Sequence, residues 1–240
     1  MTKLSVNVNK LATIRNSRGK NNPDVLAWAS RIESFGAHGI TVHPRPDGRH
    51  IRFSDVRALK PLVRGEFNIE GYPDRPWLEL VKEVCPDQAT LVPDPPDALT
   101  SNSGFRVSES LDLLRASVRF LSGIRVSVFI DPTDFSPTDA GLLVLIGVGR
   151  IELYTESYAE TFGGPEAGAV LRGYQQAAQW ARAAGLGVNA GHDLNLLNLR
   201  AFHQAIPELN EVSIGHALIC DALEFGMEET VRRYLNSLSS

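Results

Sequence analysis

The sequence predicts a closed (β/α)8 TIM barrel. Segments typical of strands and of helices alternate eight times along the 240 residues, and this alternation is typical of a parallel sheet. Eight such units in a chain of this length match the usual size of a barrel. The first strand is followed by Asn7-Val-Asn-Lys10 rather than by the glycine-rich turn expected in a doubly wound open sheet.

Short runs rich in β-branched and aliphatic residues predict the strands. Pro44 ends the second of them, because proline has no backbone donor and disfavours a helical residue before it. The predicted strands are residues 4–8, 40–43, 66–70, 89–92, 125–130, 150–154, 186–190 and 211–214.

Apolar residues at helical spacing predict helices after the strands. Asn22 is the predicted capping side chain of the first of them, with Asp24 as the acid at its positive end, and Asp74 and Ser136 are predicted to start two later helices. The predicted helices are residues 24–35, 54–63, 74–84, 108–121, 136–146, 165–184, 195–205, 217–225 and 227–238. The segment 217–225 is a short extra helix after the eighth strand. Residues 15–19 are expected to form a polar loop. Residues 93–104 are expected to form a long loop of the kind that often closes over a site.

The bulk composition fits a globular chain with a sizeable core, at 43% hydrophobic and 22% charged residues. A net charge of −4 argues against a general nucleic-acid or membrane-surface binder. The first ten residues lack a signal-peptide core, and no apolar run is long enough to cross a bilayer. Cys85 and Cys220 belong to no metal motif, so we interpret them as reduced thiols of a cytoplasmic protein. With no linker or low-complexity tract, residues 1–240 are predicted to form one domain.

Polar side chains directly follow the second predicted strand. His43, Arg45, Arg49 and His50 come within a few residues of its end, and barrel enzymes work at the rim where the strands end. A base and several cations at one point favour a site for an anionic substrate. The alternative for this segment taken alone is a solvated charged loop.

The same arrangement recurs at other strand ends. Four of the six histidines lie just after predicted strands or in the loops that follow. Any single histidine has a structural alternative, such as satisfying a loop carbonyl, but their recurrence favours a common site. The polar residues at the other strand ends are Asn7, Asn9, Lys10, Glu70, Asp131, Glu152, His192 and His216.

The residue types suit acid–base chemistry on a phosphorylated ligand. Imidazole exchanges protons near neutral pH. Glu70 lies in an apolar strand, which favours a raised pKa and a role as a base; a salt bridge to a rim arginine is the alternative. Arginines bind phosphate in forked geometry. The arginines considered are Arg45, Arg18, Arg15 and Arg49, of which the last two taken singly are more simply explained as solvated surface.

The last two strands end in glycine–histidine pairs, Gly191-His192 and Gly215-His216. Glycine lets backbone amides approach an oxyanion, and the extra helix would point its positive end there. This predicts a phosphate site. No His-x-His pair or helical histidine spacing is present, so no metal site is predicted.

Six separated motifs resemble the pyridoxine 5'-phosphate synthase family. They occur in the same order from the first strand to the last helix, and each alone is weak. The motifs are residues 6–19, 39–45 with 49–51, 67–70, 91–93, 188–192 and 213–217.

The resemblance implies a barrel that closes the ring of vitamin B6. The family joins 1-deoxy-D-xylulose 5-phosphate to 3-amino-2-oxopropyl phosphate and yields pyridoxine 5'-phosphate, phosphate and water. It uses no cofactor or metal. The resemblance also implies a homo-octamer built from dimers, and a long loop after the fourth strand that closes as a lid.

The resemblance assigns roles to named residues. His43 and Glu70 would accept protons, His192 would donate one, and Glu152 would stabilise charge in a transition state. The residues implied to hold the deoxyxylulose phosphate are Arg45, His50 and Thr100. Those implied to hold the aminoketone phosphate are Asn7, Arg18, Gly215 and His216.

Three further substrate-binding candidates depart from the commoner family pattern. Asn9-Lys10 stands where many members have Asp-His, which changes one anion contact and keeps a cation. Asp193 stands where many members have glycine after the catalytic histidine.

Two alternatives remain open at this stage. One is another phosphosugar aldolase, isomerase or epimerase on the same barrel; a Schiff-base aldolase would need a lysine at a strand end, and Lys10 is the candidate. The other is a non-catalytic barrel that acts in assembly. The apolar segment 142–146 is then either a subunit interface or a helix buried between neighbours.

Overall fold

The computed structural model describes residues 1–94 and 103–239. Eight parallel strands close into a barrel in chain order, which confirms the predicted fold. Each predicted strand is present, with its ends shifted by no more than one residue. The strands are β1 (Lys3–Asn7), β2 (Gly39–Val42), β3 (Glu66–Gly71), β4 (Gln88–Leu91), β5 (Arg125–Ile130), β6 (Arg150–Tyr154), β7 (Gly187–Gly191) and β8 (Glu211–Ile214).

Helices surround the barrel. Asp74 and Ser136 each accept a hydrogen bond from a first-turn backbone N–H, as predicted. The cap of the helix Val25–Ser34 is Asp24, which accepts from two first-turn N–H groups, and not the predicted Asn22. The extra helix after β8 is present as α10. The helices are α1 (Asn9–Asn16), α2 (Val25–Ser34), α3 (Phe53–Leu59), α4 (Arg75–Val84), α5 (Val107–Phe120), α6 (Pro137–Leu145), α7 (Glu156–Thr161), α8 (Ala167–Ala183), α9 (Leu199–Ala205), α10 (His216–Phe225) and α11 (Met227–Ser237).

The helix α1 corrects the predicted loop at residues 15–19, since Arg15 and Asn16 are its last residues. The guanidinium of Arg15 is buried and donates two hydrogen bonds of 2.8 Å to Asp55 and one of 3.3 Å to the His50 carbonyl. Both earlier interpretations of Arg15, as solvated surface or as a phosphate ligand, are therefore wrong. It ties α1 to α3 and to the loop that carries His50.

The long predicted loop lies mostly outside the described residues, because residues 95–102 are not among them. Its role as a closing lid stays a prediction. Among the residues that the structure does describe, no helix is both long and apolar enough to span a membrane.

Side chains alternate between the two faces of each strand. The outward-facing residues, such as Leu4, Val6 and Ile40, are fully buried against the helices and form the main core. The inward-facing residues are largely polar, although barrel interiors are usually filled by bulky branched side chains. Most of the chemistry of the chain therefore lies along the barrel axis.

The amino-terminal end of the interior holds an ion network. Glu66 contacts Arg125, lies 3.1 Å from Arg150 Nη1 and lies 3.4 Å from Lys3 Nζ. Above it is a neutral layer in which Thr41 and Asn68 are hydrogen-bonded to their neighbours on adjacent strands. The third level, at the carboxyl ends of the strands, forms the candidate site.

Candidate active site

A cavity of about 470 Å³ opens at the carboxyl ends of the strands. It brings together every predicted site residue except Arg18 and Thr100. The residues that line it are Asn7, Asn9, Lys10, Thr13, His43, Arg45, Arg49, His50, Glu70, Val92, Phe129, Glu152, Tyr154, Glu156, His192, Asp193, Ser213, Gly215 and His216.

The remaining candidates lie elsewhere. Arg18 is exposed in the turn after α1 and is not part of the lining. Thr100 lies outside the described residues. Asp131 accepts hydrogen bonds from the backbone and hydroxyl of Thr133, so it shapes a turn beyond the cavity. The substrate-binding roles of Arg18 and Thr100 stay predictions.

His43 and Glu70 face each other from neighbouring strands. The His43 Nδ1 atom lies 3.8 Å from Glu70 Oε2, and Asn7 Nδ2 donates to the same oxygen at 3.3 Å. Burial lowers the pKa of His43 well below 6.5, and the positive charges of Arg45, His50 and His192 lower it further. His43 is therefore a neutral imidazole near pH 7, the form that accepts a proton.

Glu70 is a buried carboxyl group with few cations around it. Burial, with repulsion from Glu211 and Asp94, raises its pKa to about 8, although a hydrogen bond from Ser213 opposes the shift. The backbone at this point is anchored by Trp77, whose indole N–H donates to the Glu70 carbonyl at 3.0 Å. The earlier alternative, a salt bridge from Glu70 to a rim arginine, is absent among the described residues.

Glu152 faces the cavity from β6. Burial raises its pKa well above 4.5, and repulsion from Glu70 adds to this, although His192 opposes it. Its Oε2 atom is buried and has no hydrogen-bond partner among the described residues. The raised pKa favours the protonated carboxyl group, which can donate a hydrogen bond to a developing negative charge.

His192 follows β7 and has an unusual backbone, with φ of +90°. Its Nδ1 lies 3.2 Å from Asp193 Oδ2, and its side chain is 37% exposed. Partial burial lowers the pKa of His192, but the hydrogen bond and charge of Asp193, helped by Glu152, outweigh it, so the net pKa is raised. The raised pKa favours the protonated imidazole, the form that donates a proton.

Lysine, arginine and histidine side chains line the part of the cavity next to the carboxyl ends of β1 and β2. Arg45 is buried and lies 3.3 Å from Asp94. Burial lowers the pKa of His50 to about 4, helped by Arg45 and Lys10, so His50 is a neutral hydrogen-bonding partner. Asn9 Oδ1 accepts from the His43 backbone N–H at 3.0 Å, which fixes the end of β2.

The second group of predicted anion ligands lies around the start of α10. Gly215 and His216 line the cavity, and no side chain caps the first turn of this helix. Helix N-termini with unpaired N–H groups attract phosphate. A Cβ on Gly215 would lie 3.1 Å from Asn7 Cβ, so glycine keeps this approach open.

The chain is similar to known proteins along nearly its whole length. Residues 4–240 match the family described as Pyridoxal phosphate biosynthesis protein PdxJ. The pyridoxine 5'-phosphate synthase of Parabacteroides distasonis is 57% identical over 242 residues, and that of Porphyromonas gingivalis is 55% identical over 241 residues; each comparison covers 100% of both chains. The chain belongs to the PdxJ family.

The fold of this PdxJ-family chain also resembles more distant barrels. The tryptophan synthase A-subunit of Pyrococcus furiosus superposes with a TM-score of 0.66 at 14% identity, covering 98% of this chain and 97% of that one. At this level of identity the likeness concerns the fold alone.

The structure adds site residues that the sequence interpretation missed. Val92, Phe129 and Tyr154 form a small buried apolar cluster that lines the cavity. The His192 ring packs edge-on against two of them, with centroid distances of 6.3 Å to Phe129 and 5.7 Å to Tyr154. Ser213 is also inside. The available signal was the alternation of side chains along β5, β6 and β8, which turns these residues inward.

Proposed function

We propose that this PdxJ-family chain is a pyridoxine 5'-phosphate synthase. It joins 1-deoxy-D-xylulose 5-phosphate to 3-amino-2-oxopropyl phosphate and releases pyridoxine 5'-phosphate, phosphate and water. The observation that carries the proposal is the convergence of His43, Glu70, Glu152 and His192 on one cavity, in a chain more than half identical to relatives named for this reaction.

The two proton acceptors suit their roles. The amine of one substrate attacks the ketone of the other, and a proton must then leave the carbon next to the resulting imine. A base works best when its pKa lies near the operating pH. Glu70, with its pKa raised by burial to about 8, is such a base. His43, whose pKa is lowered by burial, is a weaker base that is neutral near pH 7 and can therefore accept a proton.

Expulsion of phosphate and of water needs a proton donor and stabilisation of charge. His192 is the donor, because Asp193 outweighs burial and raises its pKa. Glu152 donates a hydrogen bond to the oxygen on which negative charge develops. Its pKa, raised by burial, keeps the carboxyl proton in place while the substrates react.

Two phosphorylated substrates match two candidate anion sites in the cavity, one after β2 and one at the start of α10. Lys10, Arg45 and His50 hold the deoxyxylulose phosphate, together with Thr100. Asn7, Gly215 and His216 hold the aminoketone phosphate at the start of α10, together with Arg18. Asn9 and Asp193 act mainly through His43 and His192, to which they are bonded.

The test is an incubation of the folded chain with both phosphates. We expect one equivalent of inorganic phosphate and one of fluorescent pyridoxine 5'-phosphate per turnover, with neither product when one substrate is omitted. A His192→Gln variant, which keeps a hydrogen-bonding side chain but loses the proton donor, is the matched control. Phosphate release without ring formation would contradict the proposal.

The aldolase alternative depends on Lys10 forming a Schiff base with a substrate carbonyl. Borohydride treatment in the presence of either phosphate would then add the mass of the reduced adduct to the peptide that contains Lys10. We expect no such adduct.

We also propose that the chain assembles as a homo-octamer, a tetramer of dimers, and acts in the cytoplasm. Supporting the first, Val144 and Leu145 on α6 and Leu223 on α10 are large apolar side chains that are exposed in the isolated chain. Supporting the second, Cys85 and Cys220 are free thiols. Light scattering of the purified chain tests the assembly, and a monomer would contradict it.

A further inference from the structure

The backbone at His192 needs an external constraint. Its φ of +90° lies in a region that side chains other than glycine rarely adopt, and such residues persist only where the surroundings impose them. The residue before it is closely surrounded, because a Cβ on Gly191 would lie 2.5 Å from the Ser213 carbonyl oxygen and 2.9 Å from Glu152 Oε1, so only glycine fits there.

The constraint comes from Thr155. Its hydroxyl donates to the Gly191 carbonyl at 2.6 Å and accepts from the Asp193 backbone N–H at 3.2 Å. One side-chain oxygen thus bridges the residue before His192 and the residue after it. A third hydrogen bond, from the His192 N–H to the Ser213 carbonyl at 3.3 Å, holds the peptide between them.

Thr155 does not cap its own helix, because its hydroxyl makes these two hydrogen bonds instead. It is the residue that precedes the first turn of α7, a position where a threonine hydroxyl commonly caps the helix. Here it makes no side-chain capping bond. The side chain is fully buried, and Thr155 is not part of the cavity lining. Its hydroxyl therefore serves the segment after β7 rather than its own helix or the substrate.

The imidazole is fixed separately. Asp193 Oδ2 lies 3.2 Å from Nδ1, which leaves Nε2 for the substrate, and Phe129 and Tyr154 pack against the ring. The other charged groups that act on the ring are Glu152 from β6, Asp94 after β4 and His43 after β2.

We propose that Thr155 is a positioning residue for the proton donor: its hydroxyl clamps the backbone on both sides of His192, and Asp193 orients the ring through Nδ1. This rests on the proposed function only for the role of His192 in the reaction. The clamp itself is a property of the folded chain.

The first test replaces Thr155 by valine, which keeps the shape and removes both hydrogen bonds, and by serine, which keeps the hydroxyl. A donor displaced by about 1 Å costs on the order of 100-fold in rate. We expect kcat to fall about 10- to 100-fold in Thr155→Val, with KM changed less than about threefold because Thr155 does not touch substrate. Thr155→Ser restores most of kcat.

An equal loss of kcat in Thr155→Val and Thr155→Ser, or a change in KM without a change in kcat, would contradict the proposed role of Thr155. A folded Thr155→Val with unchanged kcat would also overturn it.

The second test measures the ionisation of the His192 imidazole and does not depend on enzymatic activity. NMR titration of ¹³C-labelled histidine follows the pKa of His192 in the wild type and in Asp193→Asn, with His192→Gln used for assignment. We expect the pKa to be lower in Asp193→Asn, because the anionic partner of Nδ1 is gone, and lower or split into two signals in Thr155→Val. An unmoved His192 signal in both variants would overturn the proposal even where Thr155→Val is poorly folded. Wild type without synthase activity but with the expected titrations would instead count against the proposed function alone.

Discussion

Two glutamates on the same strand show how the two ends of the barrel differ. Glu66 and Glu70 both lie on β3 and both point to the interior, because residues four apart share a face of a strand. Both are buried. Burial raises the pKa of Glu66, but Arg150, Arg125 and Lys3 outweigh it and the net pKa is lowered. Without such cations, the pKa of Glu70 is raised by burial to about 8.

The difference shows that residue type and burial do not determine a role in this barrel. At the amino-terminal end, Arg125, Arg150 and Lys3 match the charge of Glu66, and the result is a structural ion network. At the carboxyl end the carboxyl groups are buried beside one another with imidazoles and hydroxyls, and their protons become exchangeable near neutral pH. The neutral layer of Thr41 and Asn68 separates the two.

The largest expected effect is on activity, at Glu70. Glu70→Gln removes the base but keeps shape and hydrogen bonding, so we expect kcat to fall about 10²- to 10⁴-fold. Substrate binding and melting temperature should change little, because a carboxyl group with a raised pKa adds little charge to the native state. Steady-state kinetics and calorimetry measure both. A variant that loses stability instead of activity would erase the contrast with Glu66.

The reverse result is expected at Glu66. Glu66→Gln leaves Arg125 and Arg150 without their anionic partner, and breaking such a buried pair costs about 3 kcal/mol or more. The folded fraction should keep near-normal kcat.

Urea unfolding at several pH values checks the sign of this effect. A lowered pKa stabilises the fold above the ordinary value of 4.5, and this contribution is lost as the pH falls through the folded-state pKa. The difference in the free energy of unfolding between wild type and Glu66→Gln should therefore be largest at pH 7 and should become smaller in acid. A difference that is constant with pH would contradict the assignment.

The smallest expected effect concerns the pKa of Glu70 and the group that lowers it. Its base form appears as the pH rises through about 8, so kcat of the wild type should rise over that range. Ser213 donates to Glu70 Oε1 at 3.5 Å and favours the charged form. Ser213→Ala should raise the pKa, move this limb to higher pH and lower kcat at pH 7 by at most about threefold. A shift to lower pH would show that Ser213 does not act on the charged carboxylate.

Most of the fold followed from local patterns, and the exceptions have physical causes. The strands are short β-branched runs, and each one was predicted. The helix α1 was missed because it has no capping side chain and no acidic residue in its first turn. The helix α7 was missed because it has six residues and its cap residue, Thr155, is bonded elsewhere.

The site was predictable where a polar residue ends a strand and less so where long-range partners decide. His43, Glu70 and His192 could be found from position alone. The structural role of Arg15 depends on its hydrogen bonds to Asp55, which lies 40 residues away in the sequence. No local pattern encodes such a pairing. The inward turn of Phe129, Tyr154 and Ser213 was encoded in the strand alternation, but their proximity to His192 required the closure of the barrel.

The indole of Trp77, which is hydrogen-bonded to the Glu70 carbonyl, is an intrinsic fluorescent probe of the site. Trp77 is 3% exposed, whereas the other two of the three tryptophans, Trp28 and Trp180, are only partly buried. Because its N–H is bonded to the Glu70 carbonyl, its emission is coupled to the backbone that carries the base. Intrinsic fluorescence at the blue edge of the spectrum therefore offers a label-free view of the catalytic strand as substrates arrive.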